Sequence, residues 1–313
     1  MQRRALLALP LLAVPTLARA QAPLAVTVSF SILADMVRQI GGARIAVTTI
    51  VGPDVDSHGF QARPSDAAAL RNAALVLRNG LGFEPWLDRL LGAAAPRGRV
   101  VTLTEGITPR LMDGHAHGHD HGGAARRQQH HVAPRQVPDP HAWQDLRLVP
   151  VYLRNIETAL SAADAPGAAT YRANAQAYAA RIEALDAWVR AQVGTVPEAR
   201  RKIITNHDAF GYFGAAYGVA MLAPQGLSTH GEPSTAALGG LIRQARAESI
   251  SAIFLENASN PAIIERLARE AGMRVRGRLY ADALSAPTGP APTFEAMVRH
   301  NLGLMVPAMR GDA

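Results

Sequence analysis

One stretch near the amino terminus decides the fold class: residues 25–30 read AVTVSF, and residues 31–42 continue at once as SILADMVRQIGG. β-Branched side chains crowd the first segment, which is typical of a strand. In the second segment, apolar residues recur at the spacing of an amphipathic helix, and Gly41 and Gly42 are placed to end it. A strand that leads directly into a helix predicts a βα unit, and therefore a mostly parallel sheet.

The same alternation continues in two series along the chain. Pro64 begins a helix within the first series, whose further strands are predicted at residues 45–51, 75–78 and 100–103. The second series has strands predicted at residues 202–205, 219–222, 252–255 and 274–278. We therefore predict an α/β protein of two Rossmann-like lobes with mostly parallel sheets.

The segment between the two series has a different pattern. Apolar positions recur there in alternating steps of four and three: Tyr171, Ala175, Tyr178, Ile182, Leu185 and Val189. This stripe predicts a long helix over residues 170–193, which could be an ordinary core helix or a stiff connector between lobes. The predicted division is an amino-terminal lobe at 21–150, a helical connection at 151–200 and a carboxy-terminal lobe at 201–313.

The first twenty residues are typical of a secretory signal peptide. Arg3 and Arg4 form a positive start, an apolar run follows over residues 5–18, and Ala-Arg-Ala ends at Ala20 as a cleavage site. A membrane anchor needs about 20 apolar residues, and this run is shorter. We expect residues 1–20 to be removed, and the mature chain to lie outside the cytoplasm, most simply in a bacterial periplasm.

Residue counts limit the possible chemistry. The 313 residues include no cysteine but 11 histidines, which excludes disulfides, iron–sulfur sites, cysteine nucleophiles and a lipid anchor on cysteine. Any transition-metal site must therefore use imidazole and carboxylate. The net charge of +7 falls to +4 (29 minus 25) without the three arginines of residues 1–20, so we expect no nucleic-acid partner.

One segment interrupts the globular pattern. Residues 113–131 read DGHAHGHDHGGAARRQQHH, with no large apolar side chain and six of the 11 histidines: His115, His117, His119, His121, His130 and His131. Such a segment cannot form a core, and we expect a mobile loop. Clustered imidazoles favour loose capture of divalent metal, as an accessory site; the alternative is a solubilising loop that is rich in histidine.

Three other histidines lie at similar positions relative to the predicted strands and helices. His58, His141 and His207 stand in polar, turn-like contexts after predicted strands or at helix starts. Open α/β sheets bind ligands just outside the carboxyl ends of their strands, and Asp282 occupies the equivalent place after the last strand. Any one of these residues alone would more often be structural, but their common placement favours a shared site.

These residues lie within five ordered motifs that resemble those of the cluster A-I metal-binding proteins of bacterial ABC importers. The motifs are GPDVDSHGFQARPSD at 52–66, DPHAW at 139–143, NHDAFGYF at 206–213, GEPS at 231–234 and the final Asp282. The chain looks like the zinc branch of that family, and the resemblance runs from about Val26 to the carboxy terminus. It implies two α/β lobes joined by one long helix, with metal in the cleft.

The resemblance also implies ligands and partners. His58, His141 and His207 match the family's three histidine ligands, and Asp282 matches its carboxylate ligand. The expected partners are an inner-membrane ABC permease with its ATPase, and a periplasmic metallochaperone as a possible donor; we expect a monomer. The family's usual Asp-Pro-His has serine at Ser57, and its usual glycine after the last motif is Ser285, which could alter the loop that presents Asp282.

The donor types favour zinc without reference to the family. Three imidazoles and one carboxylate suit the tetrahedral preference of Zn²⁺, whereas Mn²⁺ prefers more oxygen ligands. Asp208, Glu256 and Asn206 are candidates to orient the imidazoles. His230 is at best an accessory ligand, and we expect His300 to be a surface or core residue.

Two alternatives remain at this point. A zinc-dependent hydrolase would need a vacant metal position and commonly a His-Glu-x-x-His motif; the chain has no such motif, and its four ligands lie 66 to 83 residues apart. We therefore expect a binding protein rather than an enzyme. A manganese-binding or adhesin-type member of the same fold is the other alternative.

Overall fold

The computed structural model describes residues 22–114, 135–227, 229 and 234–312. Its amino-terminal lobe is built on four parallel strands in the order β2-β1-β3-β4: β1 (Leu24–Phe30), β2 (Ile45–Val51), β3 (Leu75–Arg78) and β4 (Arg99–Thr102). Three helices connect these strands: α1 (Ser31–Gly41), α2 (Pro64–Asn72) and α3 (Pro85–Ala94). The opening βα unit is thus confirmed.

A short antiparallel hairpin follows the first sheet. Its strands are β5 (Leu111–Gly114) and β6 (Arg135–Pro138), which flank residues 115–134. The hairpin was not expected from the sequence, because neither strand has a marked apolar alternation. Asp113 and Gly114 therefore belong to a strand rather than to the histidine-rich loop, while residues 115–131 of that loop lie outside the described residues.

Two helices lead from the first lobe to the second. Helix α4 (Val149–Ala163) packs on α5 (Ala168–Gly194), which is 27 residues long. The predicted stripe of α5 is buried except for the partly buried Ala175: Tyr171, Tyr178, Ile182, Leu185 and Val189. Helix α5 is therefore both a core helix and the long helix between the lobes.

The second lobe repeats the parallel arrangement, with strand order β10-β9-β7-β8: β7 (Lys202–Ile204), β8 (Ala220–Leu222), β9 (Ala252–Glu256) and β10 (Val275–Leu279). The helices of this lobe are α6 (Gly211–Tyr217), α7 (Thr235–Ala247), α8 (Ala262–Ala271) and α9 (Phe294–Arg310). Two Rossmann-like lobes, parallel sheets and a long helix confirm the predicted fold class.

The hydrophobic core does not stop at the boundary between the lobes. One buried cluster runs from β1 and α1 through α4 and α5 to Phe210 and Met305, and a smaller cluster lies around β9, α7 and α8. Helix α9 contacts both α1 and α5. Because the shared core is close-packed, it limits how far the lobes can move apart. Within the described residues, no helix is both long and apolar enough to cross a membrane.

Candidate metal centre

Four buried side chains meet between the two sheets. His58, His141, His207 and Asp282 each offer a ligand atom, and these atoms all lie within 4.8 Å of one another. The Nε2 atoms of His58 and His207 are 3.2 and 3.0 Å from Oδ2 of Asp282. Nε2 of His141 is 3.5 Å from Oδ1 of the same carboxylate. All three imidazoles thus point the same nitrogen at one small volume.

Strand ends explain why these residues meet. His58 follows β2, His207 follows β7 and Asp282 follows β10, each at the carboxyl end of a parallel strand, while His141 follows the hairpin strand β6. Carboxyl ends of parallel strands share one edge of a sheet, where irregular loops expose side chains and backbone to a ligand. The two lobes present these edges to each other, so the four side chains converge.

His58 is held by its own loop. Oδ1 of Asp56 accepts hydrogen bonds from the backbone N–H groups of His58 (2.8 Å) and Gly59 (3.3 Å). The imidazole packs against Phe83 edge to face, with ring centroids 4.7 Å apart. Burial lowers the pKa of His58 below its ordinary value, despite the neighbouring Asp282. His58 is therefore neutral near pH 7, as a metal ligand must be.

Asp139 orients His141. Oδ1 of Asp139 accepts from the backbone N–H of His141 at 3.0 Å and lies 2.8 Å from its Nδ1. The base of the hairpin fixes Asp139 in turn, since its backbone N–H donates to the carbonyl of Arg110. With Nδ1 engaged, Nε2 is left for a metal. The sequence prediction of orienting residues omitted Asp139; its position two residues before His141 was the available signal.

Glu256 orients His207 from the end of β9. Oε2 of Glu256 contacts Nδ1 of His207, and Oε1 accepts from the backbone N–H groups of His207 (3.0 Å) and Asn206 (2.8 Å). Oδ1 of Asn206 accepts in return from the backbone N–H of Glu256 at 2.9 Å, so Asn206 and Glu256 are joined by two hydrogen bonds. Within the part of the chain that the structure describes, no hydrogen bond joins the Asp208 carboxylate to an imidazole of the site.

The site has unsatisfied polar atoms where a cation would lie. When the His207 imidazole is neutral and its Nε2 is free for a metal, this nitrogen and Oδ1 of Asp282 are buried without a hydrogen bond within the described residues, although Nε2 lies 3.0 Å from Oδ2 of Asp282. Buried polar atoms without partners are costly, and a bound cation would coordinate both. Burial raises the pKa of Asp282, but the His207 and His141 imidazoles hold it well below the ordinary value, so the carboxylate is ionised. Three imidazoles and one carboxylate therefore fit a divalent metal.

The remaining predicted residues lie away from this cluster or outside the described chain. His300 is half-buried on α9, where its Nε2 lies 3.0 Å from the carbonyl of Arg278. His230 is among the residues that are not described. Ser285 closes the loop after Asp282, because its N–H and Oγ pair with the backbone of Ala291 at 2.9 and 3.0 Å. The serine thus helps to fix the loop that presents Asp282.

Comparison with known proteins identifies the family. Residues 26–308 match the family model ZnuA, described as "Zinc-uptake complex component A periplasmic". The chain belongs to the ZnuA family. This ZnuA-family chain is 30% identical over 286 residues to the manganese-binding lipoprotein MntA of Halalkalibacterium halodurans, covering 90% of this chain and 87% of the relative. It is 30% identical over 276 residues to the iron-binding protein YfeA of Yersinia pestis, covering 87% and 82%.

A solved structure of the same fold agrees with this membership. The periplasmic zinc binding protein TroA of Treponema pallidum superimposes with a TM-score of 0.80 at 28% identity, covering 92% of this chain and 99% of TroA. The ZnuA-family chain is therefore a periplasmic metal-binding protein of the substrate-binding type that serves ABC importers. Proteins of this family bind solutes rather than catalyse reactions, so family membership excludes the alternative of a zinc-dependent hydrolase.

Proposed function

We propose that this protein captures Zn²⁺ with His58, His141, His207 and Asp282 and delivers it to its importer. The observation that carries the proposal is the donor set, in which three Nε2 atoms and one carboxylate converge within 4.8 Å. Four donors of this kind match the tetrahedral coordination and the nitrogen preference of Zn²⁺. One carboxylate leaves a bound charge of about +1, which the buried Glu256 and Asp139 beside the imidazoles would offset.

Manganese is the alternative cargo that the names of MntA relatives support. Mn²⁺ prefers oxygen donors and higher coordination numbers, and this site has one carboxylate among four donors. A third imidazole, His207, stands where a second carboxylate would favour Mn²⁺. The donor chemistry therefore favours zinc over manganese.

Competition between Zn²⁺ and Mn²⁺ for the metal-stripped protein tests which of the two metals the site prefers. The protein, without residues 115–131, is titrated with Zn²⁺ in the presence of Mn²⁺, and bound metal is counted after gel filtration. We expect one Zn²⁺ per chain even at a hundredfold excess of Mn²⁺. Retention of Mn²⁺ under these conditions would refute zinc as the cargo, while leaving the site itself intact.

Glu256→Gln is expected to weaken zinc binding about 10- to 100-fold, because a neutral amide holds the Nδ1–H of His207 less strongly and makes the ring a poorer donor. The measurement is a competition titration against a chelator of known affinity. Glu248→Gln is the matched control, since Glu248 pairs with Lys202 at the surface of the same lobe. Equal affinities of the two variants would contradict the orienting role of Glu256.

Zinc binding at pH 7 should release about one proton from His207. Burial lowers the pKa of His207, but the Glu256 and Asp282 carboxylates outweigh it and raise that pKa well above the ordinary value. The metal-free imidazole is therefore protonated at pH 7, and zinc must displace the proton. Affinity should fall as the pH decreases from 7, by up to about tenfold per unit for one proton.

Calorimetric titration in buffers of different ionisation enthalpy measures this proton release. The dependence of the observed enthalpy on the buffer enthalpy gives the number of protons directly. A number near zero at pH 7, together with a constant affinity between pH 6 and 8, would contradict the protonation of His207 in the metal-free protein.

We also propose that the six histidines of residues 113–131 collect zinc for the central site. Multiple imidazoles within a short polar segment bind metal weakly and exchange it readily. Deleting residues 115–131, which keeps β5 and β6 intact, should lower the number of bound Zn²⁺ ions and leave the tightest site unchanged. Loss of the tightest site in this variant would contradict an accessory role.

A further inference from the structure

Asp54 lies at the rim of the cleft and joins the two lobes. It is an exposed residue of the loop between β2 and His58, with a left-handed backbone (φ 56°) that L-residues rarely adopt. Its backbone N–H donates to the carbonyl of Leu284 at 2.9 Å. Its carboxylate accepts from the N–H of Ala286 and from Nδ2 of Asn257, both at 3.0 Å.

All three partners of Asp54 belong to the other lobe. Leu284 and Ala286 follow Asp282 by two and four residues, on the loop that presents this ligand. Asn257 directly follows β9, and its Nδ2 also donates to the carbonyl of Ala283 at 3.3 Å. Asp54 therefore holds the far side of the Asp282 loop from the opposite lobe, beside the buried Ser31, whose Oγ accepts from the N–H of Leu284 at 3.0 Å.

The near side of the same loop has separate, buried anchors. The carbonyl of Ala281 accepts from Nε1 of Trp143 (3.1 Å) and from Nε2 of Gln144 (3.0 Å), and both donors are buried close to His141. These bonds belong to the packed core. The bonds of Asp54 lie at the surface, where water can replace them without disturbing the core.

The left-handed backbone conformation of Asp54 indicates that its carboxylate is needed at this position. Glycine occupies the left-handed region freely, whereas other residues are strained there, aspartate less than most. An aspartate at this position is therefore explained by what its side chain binds. Both carboxylate oxygens of Asp54 are used, one on the Asp282 loop and one on Asn257.

We propose that Asp54 is a positioning residue: its hydrogen bonds to the 283–286 loop and to Asn257 of the opposite lobe keep Asp282 on the metal, and they thereby slow metal release. The proposal rests on the proposed function, because it requires Asp282 to be a metal ligand. Movement of the 283–286 loop away from the opposite lobe would break the three bonds of Asp54, together with the buried bond that the N–H of Leu284 donates to Oγ of Ser31. Asp54 itself does not touch the metal.

The rate of zinc dissociation from Asp54→Gly tests this role. Glycine adopts the left-handed backbone conformation freely, and the substitution removes the two side-chain hydrogen bonds. We expect dissociation into excess chelator about tenfold faster than from the wild type, because both side-chain hydrogen bonds of this exposed carboxylate are lost. Asp54→Asn, which keeps one acceptor oxygen, should lie in between. Asp88→Asn is the matched control, because Asp88 is an exposed carboxylate of the same lobe that pairs with Arg78. An unchanged dissociation rate for Asp54→Gly would overturn the proposal.

A double-mutant comparison asks whether Asp54 acts through Asp282. Asp54→Gly should accelerate dissociation from the wild type but add nothing in an Asp282→Ala background. An equal acceleration in both backgrounds would overturn a role through Asp282. The Co²⁺ form supplies a second readout, because a displaced carboxylate changes the absorption spectrum of the ion, whereas a general loss of stability does not. If Asp282→Ala alone left the dissociation rate unchanged, the ligand assignment would fail independently of Asp54.

Discussion

His141→Ala is expected to weaken zinc binding by more than about 100-fold, because loss of a ligand should cost more than loss of a residue that orients one. His141 is completely buried, with Asp139 on its Nδ1 and Nε2 facing the centre. Alanine would remove the donor and leave two buried carboxylates, Asp139 and Asp282, without the imidazole that lies between them. No described side chain beside it offers a replacement nitrogen.

The measurement of this effect needs a protein without residues 115–131, since their histidines would bind zinc and conceal the loss. Affinity is determined by chelator competition, and circular dichroism shows whether the variant is folded. His300→Ala is the matched control, because His300 is a half-buried histidine on α9 whose Nε2 lies against a backbone carbonyl. Tight zinc binding by the folded His141→Ala protein would refute the assigned site.

Removal of metal should lower the unfolding temperature by about 10 °C. A ligand that binds only the folded state, at a thousand times its dissociation constant, adds about 4 kcal/mol to the free energy of unfolding. In a chain of this size, each kcal/mol corresponds to roughly 2–4 °C. The site favours a large effect, because zinc would join side chains from both lobes through three imidazoles and one carboxylate.

Thermal unfolding with zinc and with excess chelator measures this shift by differential scanning calorimetry. The same comparison on His141→Ala should show a much smaller shift, which separates binding at the central site from nonspecific effects of zinc. Equal unfolding temperatures of the metal-free and zinc-loaded wild type would contradict a site that links the lobes.

Some of the fold could be read directly from local pattern. β2 and β3 have the predicted bounds, and the predicted apolar stripe of α5 is buried apart from the partly buried Ala175. The β5–β6 hairpin could not be predicted, because its two strands are separated by 20 residues and lack alternation. Periodicity reports on which side of an element is buried, and therefore fails where an element is short and half-exposed.

The candidate ligands could also be named from the sequence, because each follows a strand or turn within a recognisable motif. Their orienting residues could be named only in part. Glu256 was predicted and lies against His207, whereas Asp139 was missed and Asp208 does not contact an imidazole within the described chain. Asp54 gave no signal at all, because its partners are about 200 or more residues away in sequence.

The sequence by itself determined the βα alternation, the long helix and the residue types available to a metal in a chain without cysteine. Such features depend on neighbours within a few residues, where propensity and side-chain period act. Tertiary structure alone decided that four candidate ligands, 66 to 83 residues apart along the chain, present their donor atoms within 4.8 Å of one another, and that Asp139 and Glu256 lie on the imidazoles of His141 and His207. That geometry is set by the packing of two sheets against a shared core, which no local pattern encodes.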